Sequence, residues 1–222
     1  MPILLKDLLN ETLNLESKQQ QSTPQFKNWF KHSKVIDKSG NPLRVYHGSP
    51  KFSGDSFNKS ADKLNRTGNV AGFYFSANND EASNYAGNRD DDGDIYHKEG
   101  SSVIPVYLSI QNPYDLGFHG YDPTSVTDKM LDVYTKELQA SNSHMDPNNS
   151  WFSGKIKQFK TTGKINSTAL NYDGDAVQRV IIAGEYDGVI DGEHYVAFDP
   201  TQIKSAIGNN GDFNPNDPNI HK

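Results

Sequence analysis

The stretch GFYFSANNDEASNYAG, residues 72–87, changes its period half-way. Phe73 and Phe75 alternate with Tyr74 and Ser76, the period-2 pattern of a strand buried on one face. Beyond Ala77 the spacing turns helical. Asn79 or Asp80 is placed to cap, Glu81 adds acid to the first turn and Gly87 stops the run, so 79–87 reads as a short helix. Taken alone, Tyr74 and Tyr85 are ordinary core aromatics.

Upstream, LRVYH (43–47) reads as a strand with Leu43, Val45 and His47 on one face, closed by Gly48-Ser49-Pro50. FKNWFKHSKVID (26–37) predicts a short packing helix, followed by a turn at KSGNP. Before it, residues 3–15 have leucines at helical spacing, and 16–24 read as a polar linker. The expected organisation is therefore a helix and linker over 1–24 and one main domain over 25–222. That first helix is either a solvated extension or a surface for a partner.

Downstream, SVIPVYLSI (102–110) reads as a strand. A helix is predicted over 123–140, capped by Asp122, with Pro123 in its first turn and a stripe of Val126, Met130, Val133, Tyr134 and Leu138. Residues 141–172 are polar and read as an elaborated loop region. DAVQRVIIAG (175–184) reads as a helix, and YDGVID (186–191) and HYVAFD (194–199) as strands joined by a tight turn at Gly192. TQIKSAI supplies a last strand, and residues 208–222 a turn-rich surface tail. Short strands and helices without regular β-α-β alternation indicate an α+β fold.

The bulk composition narrows the chemistry. With 34% hydrophobic residues, 18 Gly and 11 Pro among 222, the chain predicts short elements and many loops. A net charge of −6 argues against bulk electrostatic binding to nucleic acid, though it leaves room for a local basic groove. The lack of cysteine excludes thiolate chemistry and disulfides. No apolar run approaches a membrane span and the N-terminus does not read as a secretory signal, so a cytoplasmic protein with no membrane partner is expected.

Dinucleotide-fold, Walker, H-E-x-x-H and G-x-S-x-G motifs are all absent. NRDDDGDIYHKE (88–99) approaches a calcium loop, with Asn88, Asp90, Asp92, Asp94 and Glu99 at ligand spacing. It lacks a following helix and reads better as a solvated acidic loop, so no metal site is expected. GKIKQFKTTGK (154–164), with Trp151, Phe152 and Phe159 interleaved, is either a solvated basic loop or a nucleic-acid groove.

YHGS (46–49), GFYFSANNDEASNY (72–85) and EHYVAFDPTQ (193–202) occur in an order that resembles the ADP-ribosyltransferase superfamily, in the His-Tyr-Glu branch of diphtheria toxin and the poly(ADP-ribose) polymerases. WFKHSKVIDKSGNPLRVYHGS, YDGVI and FDPTQIKSAIGNNGDF together are more closely similar to the ADP-ribosyltransferase-like domain of phage and mobile-element polyvalent proteins, over about 26–215. The resemblance implies a split β-sandwich with peripheral helices and NAD as substrate. It implies a mono-ADP-ribosyltransferase that moves ADP-ribose to a macromolecule, protein by default and RNA or DNA less so, with release of nicotinamide. A toxin or effector in the cytoplasm of a bacterial host, phage-delivered or carried by a mobile element, fits the same resemblance. Its alternatives are a catalytically impaired NAD- or ADP-ribose-binding or protein-interaction module, and an NAD glycohydrolase.

Residue by residue, His47 matches the histidine that bonds a ribose hydroxyl, and the backbone of Gly48 would hold the nicotinamide carboxamide beside Ser49. Tyr74 matches the triad tyrosine, with Phe75 and Ser76 adjoining it in the cofactor segment, and Tyr85 matches the aromatic that stacks on nicotinamide. The third triad position falls on His194 instead of glutamate, with Glu193 one residue before it and Gln202 a weaker candidate. The family tolerates such a replacement with loss of chain elongation, so single-unit transfer is expected.

Overall fold

The structure, a computed structural model, describes residues 18–58, 70–90, 92–115 and 126–222. The helix expected over 3–15 and the caps expected at Asp122 and Pro123 lie outside these residues. Helices and strands mix without a β-α-β repeat, so the fold is α+β as expected. The chain divides into two compact units. The first draws its described residues from 18–57, 74–90, 92–111 and 193–222, the second from 58, 70–73, 112–115 and 126–192.

In the first unit, α1 (Pro24–Phe30) begins at the N-cap Thr23, whose hydroxyl accepts from the Phe26 amide. The segment expected as a linker is helical at 18–22, and the Gln21 amide donates to the Tyr107 hydroxyl at 2.8 Å. Phe26, Trp29 and Phe30 on α1 bury against Tyr107, Ala206 and Phe213. Phe213 belongs to the stretch expected to lie on the surface. It is 1% exposed and meets Phe26 edge-on at 5.1 Å, so the tail helps to close the core.

The strands of this unit are β1 (Val45–Ser49), β2 (Phe73–Ser76), the short β3 (Asn88–Arg89) and β4 (Ile95–Tyr96), β5 (Ser102–Leu108), β8 (His194–Ala197) and β9 (Ile203–Ser205). Neighbouring strands run β8-β2-β1-β5-β9. β1 therefore continues through Gly48 and Ser49, where the sequence predicts its end. It pairs antiparallel with β5 over five residues, from Val45↔Val106 to Ser49↔Ser102, but with β2 only at Tyr46↔Ser76. Pro105 is tolerated inside β5 because β9 pairs only with Val106–Leu108, leaving the side of the missing N–H beyond the ladder.

The tail is fastened by Lys204 on β9. Its side chain is fully buried, and Nζ donates to the carbonyls of Asp217 and Asn219 at 2.7 and 2.8 Å. Burial pulls the Lys204 ammonium down to about 8.

The second unit contains β6 (Pro113–Asp115), α3 (Asp128–Ser141), α4 (Ser150–Thr162), α5 (Gly174–Ala183) and β7 (Gly188–Asp191), with β6 parallel to β7. The N-cap of α3 is Thr127, later than expected, and its buried stripe is Met130, Tyr134 and Leu138. α4 occupies the region expected to be an irregular loop. It buries Phe152 and Phe159, and the latter ring lies 4.6 Å from Tyr134. Among the described residues no helix is long and apolar enough to cross a membrane.

Candidate active site

A strand glycine and a helix of small residues set the geometry of the site. The helix α2 (Asn79–Ala86) follows β2 directly. Its N-cap is Asn78, one residue before the expected cap, and the Asn78 carboxamide oxygen accepts from the amides of Asp80 and Glu81. Ala82 and Ala86, one turn apart, are the buried residues of the helix and cross β1 at Gly48. A side chain at Gly48 would overlap the Ala82 carbonyl oxygen, so the glycine is required by helix packing itself.

Glu81 and Tyr85 are also one turn apart and therefore share a face of α2. Tyr85 is 62% exposed, which removes it from the core and leaves its ring available to a ligand. Strand alternation puts Tyr74 on the same side of β2 as Ser76. Ser76 in turn donates to Glu81 Oε2 at 2.6 Å, so that side faces α2. Burial pushes the Tyr74 phenol well above its ordinary value, and it stays neutral at physiological pH.

His47 stands where β1 and β2 part. Its Nδ1 lies 2.8 Å from the Tyr74 carbonyl oxygen, and its ring packs edge-on against Phe57 at 4.9 Å. A carbonyl only accepts, so Nδ1 carries the proton. In the neutral ring Nε2 is then the acceptor nitrogen, suited to a ligand hydroxyl. Phe75 is 3% exposed and packs against His47 and Phe57, which makes it a support for the histidine and gives it no surface for a cofactor. Ser76 is likewise buried, and Ser49 turns its hydroxyl to the Lys51 amide.

At β8, the Glu193 carbonyl accepts from Ala77 at 2.8 Å, which seats the start of β8 beside the end of β2. The Glu193 side chain is exposed in the turn that precedes β8. His194 Nε2 donates to Glu81 Oε1 at 2.8 Å. Ser76 first and His194 second hold the Glu81 carboxyl below the usual carboxylate range. Glu81 is the residue that sequence reasoning passed over, because acid in a first turn already has a helix-dipole explanation. Gln202 accepts from the amides of Phe198 and Asp199 and donates to Ser109, so it closes a capping box.

Two other sequence features resolve differently. Within 88–99, β3 (Asn88–Arg89) pairs antiparallel with β4 (Ile95–Tyr96), and Asp90 accepts from the amides of Asp92 and Asp94. Among the described residues no group of three acidic or histidine side chains is placed to hold a metal ion. The basic run 154–164 lies mostly on α4, with Lys157, Lys160 and Lys164 exposed. Phe152 and Phe159 are buried in the second unit, so they cannot interleave with bases.

The α+β fold places His47 on the Phe75 side of the β1–β2 pair, and Tyr74, Glu81 and Tyr85 on the side that faces α2. The chain matches the family described as ADP-ribosyltransferase in polyvalent proteins over residues 37–213, most of its length, and it belongs to that family. No curated protein and no solved structure matches it significantly.

Proposed function

We propose that this protein is an NAD-dependent mono-ADP-ribosyltransferase that transfers ADP-ribose from NAD to a macromolecule, protein by default, in the cytoplasm of a bacterial host. The observation that carries the reading is the family match over residues 37–213, with candidate groups on both faces of the β1–β2 pair: His47 on the Phe75 side, and Tyr74, Glu81 and Tyr85 on the α2 side. His47 bonds the Tyr74 carbonyl through Nδ1, Tyr74 is a neutral phenol on the α2 side of β2, and Tyr85 is an exposed ring on α2. NAD suits these groups. The nicotinamide ring is a flat cation that favours aromatic faces, and a ribose hydroxyl can donate to His47 Nε2.

The chemistry asks little of an acid. When the ribosyl C1′–nitrogen bond breaks, its electron pair returns to the pyridinium and nicotinamide leaves neutral. Positive charge then develops on the ribosyl centre, where an acceptor heteroatom bonds and loses its proton to water. The protein's part is to orient the dinucleotide, exclude water and place negative charge near that centre.

Incubating the protein with NAD labelled in its adenylate half and a bacterial lysate tests this reading. Nicotinamide release with label in the protein fraction is the expected result. Label in nucleic acid would change the acceptor class, and release without labelled macromolecule would make the protein a glycohydrolase. No release would leave a binding module.

A further inference from the structure

We propose that Glu81 is the catalytic carboxylate of this site, delivered from α2 to the place where β8 presents His194. The inference deepens the NAD-dependent reading and rests on it. Loss of nicotinamide leaves an oxocarbenium-like centre, which a nearby carboxylate stabilises most directly. Of the carboxylates near α2 and the two ends of β8, three do not serve. The Glu193 side chain is exposed in the turn before β8, and Asp80 is exposed in the first turn of α2. Asp199 is occupied with the amide and hydroxyl of Thr201.

Glu81 differs in being held from two sides. Ser76 Oγ donates to one oxygen at 2.6 Å and His194 Nε2 to the other at 2.8 Å. A carboxylate has about four acceptor positions, so these two bonds fix its plane and leave capacity for a ribose hydroxyl. Its side chain is 31% exposed, half-sheltered but open to a ligand. Tyr85 lies one turn further along the same helical face, and Ser76 shares the Tyr74 side of β2, so carboxylate and aromatic groups belong to one surface. His194 and Ser76 are positioning residues for Glu81. In the transfer step the bond from C1′ to the nicotinamide nitrogen breaks with its electron pair leaving on nicotinamide. A bond from C1′ to the acceptor heteroatom forms, and the acceptor's proton passes to the Glu81 carboxylate and then to water.

The test compares wild type with Glu81→Gln and Glu193→Gln, measuring nicotinamide release, NAD binding by calorimetry and thermal unfolding. Glu81→Gln is expected to reduce release by on the order of 10²–10³-fold, with NAD affinity within a few-fold of wild type. Glu193→Gln should stay close to wild type. Ser76→Ala and His194→Asn guard against a folding defect at position 81, and each should lower the release rate while NAD still binds. Wild-type release by Glu81→Gln, or a collapse confined to Glu193→Gln, overturns the proposal and leaves the activity standing. A wild-type protein that releases no nicotinamide overturns the activity as well.

Discussion

Gly48 and Ala82 touch backbone to backbone: a Cβ at 48 would occupy the space of the Ala82 carbonyl oxygen and stand 2.8 Å from the Ala86 nitrogen. Helix α2 can therefore lie on β1 only where the strand has no side chain. Gly48→Ala should cost about 3 kcal/mol, since backbone on a capped helix cannot yield as a flexible side chain would. Denaturant unfolding of the variant checks this, and an unchanged midpoint would remove the packing explanation.

His47 is expected to serve both stability and ligand. Replacing it with alanine removes the Nδ1–H bond to the Tyr74 carbonyl and the ring contact with Phe57, at a cost of about 2 kcal/mol. NAD affinity should fall by roughly tenfold or more, as expected for a lost hydrogen bond. Calorimetric titration of a sample shown to be folded separates the two effects.

Tyr85 gives the cleaner contrast. Exposed as it is, Tyr85→Ala should leave stability within about 0.5 kcal/mol. The loss of a face for the nicotinamide cation should weaken NAD binding by roughly tenfold, whereas Tyr85→Phe keeps that face and its affinity. Equal binding by all three proteins would exclude Tyr85 from the site.

Glu81 should leave a signature in acid. Its folded-state pKa is depressed, chiefly by the Ser76 hydrogen bond, so its stabilisation is complete above its ordinary value of 4.5 and is lost as pH falls through the lower folded value. Glu81→Gln should abolish that part of the acid dependence in urea unfolding. Ser76→Ala removes the largest cause of the depression, so it should move the acid limb of nicotinamide release to higher pH.

Lys204 predicts the opposite limb. Its folded pKa, pulled down by burial to about 8, lies below the ordinary 10.5, so the unfolded chain binds more protons between those values. Stability should rise as pH climbs through that window, because a neutral amine still has two hydrogens for the two tail carbonyls. Lys204→Met should lack this rise and should speed amide exchange at Ile220. Identical pH curves for the two proteins would show that the ammonium is not held as described.

The strand-to-helix change at 72–87 was legible because both periods are local, and only the cap shifted, to Asn78. His47 was legible as a strand residue, but the strand runs on through Gly48 because pairing with β5 continues to Ser49. α4 was missed although Phe152, Ile156 and Phe159 keep helical spacing, since Gly154 and the lysines around it imitate a loop. β6 was missed because three residues beginning with proline hold no pattern of their own, and only pairing with β7 makes them a strand. Glu81 was the costliest omission. Its partner His194 is 113 positions away, and no local spacing connects them.

The two edges of β1 are held differently. β1 is bound to β5 along its length, while Tyr46↔Ser76 is the single registered pair between β1 and β2. The imidazole of His47 reaches the Tyr74 carbonyl and ties β1 to β2 by a side chain as well. One side chain thus adds a link between two strands whose backbone register is short.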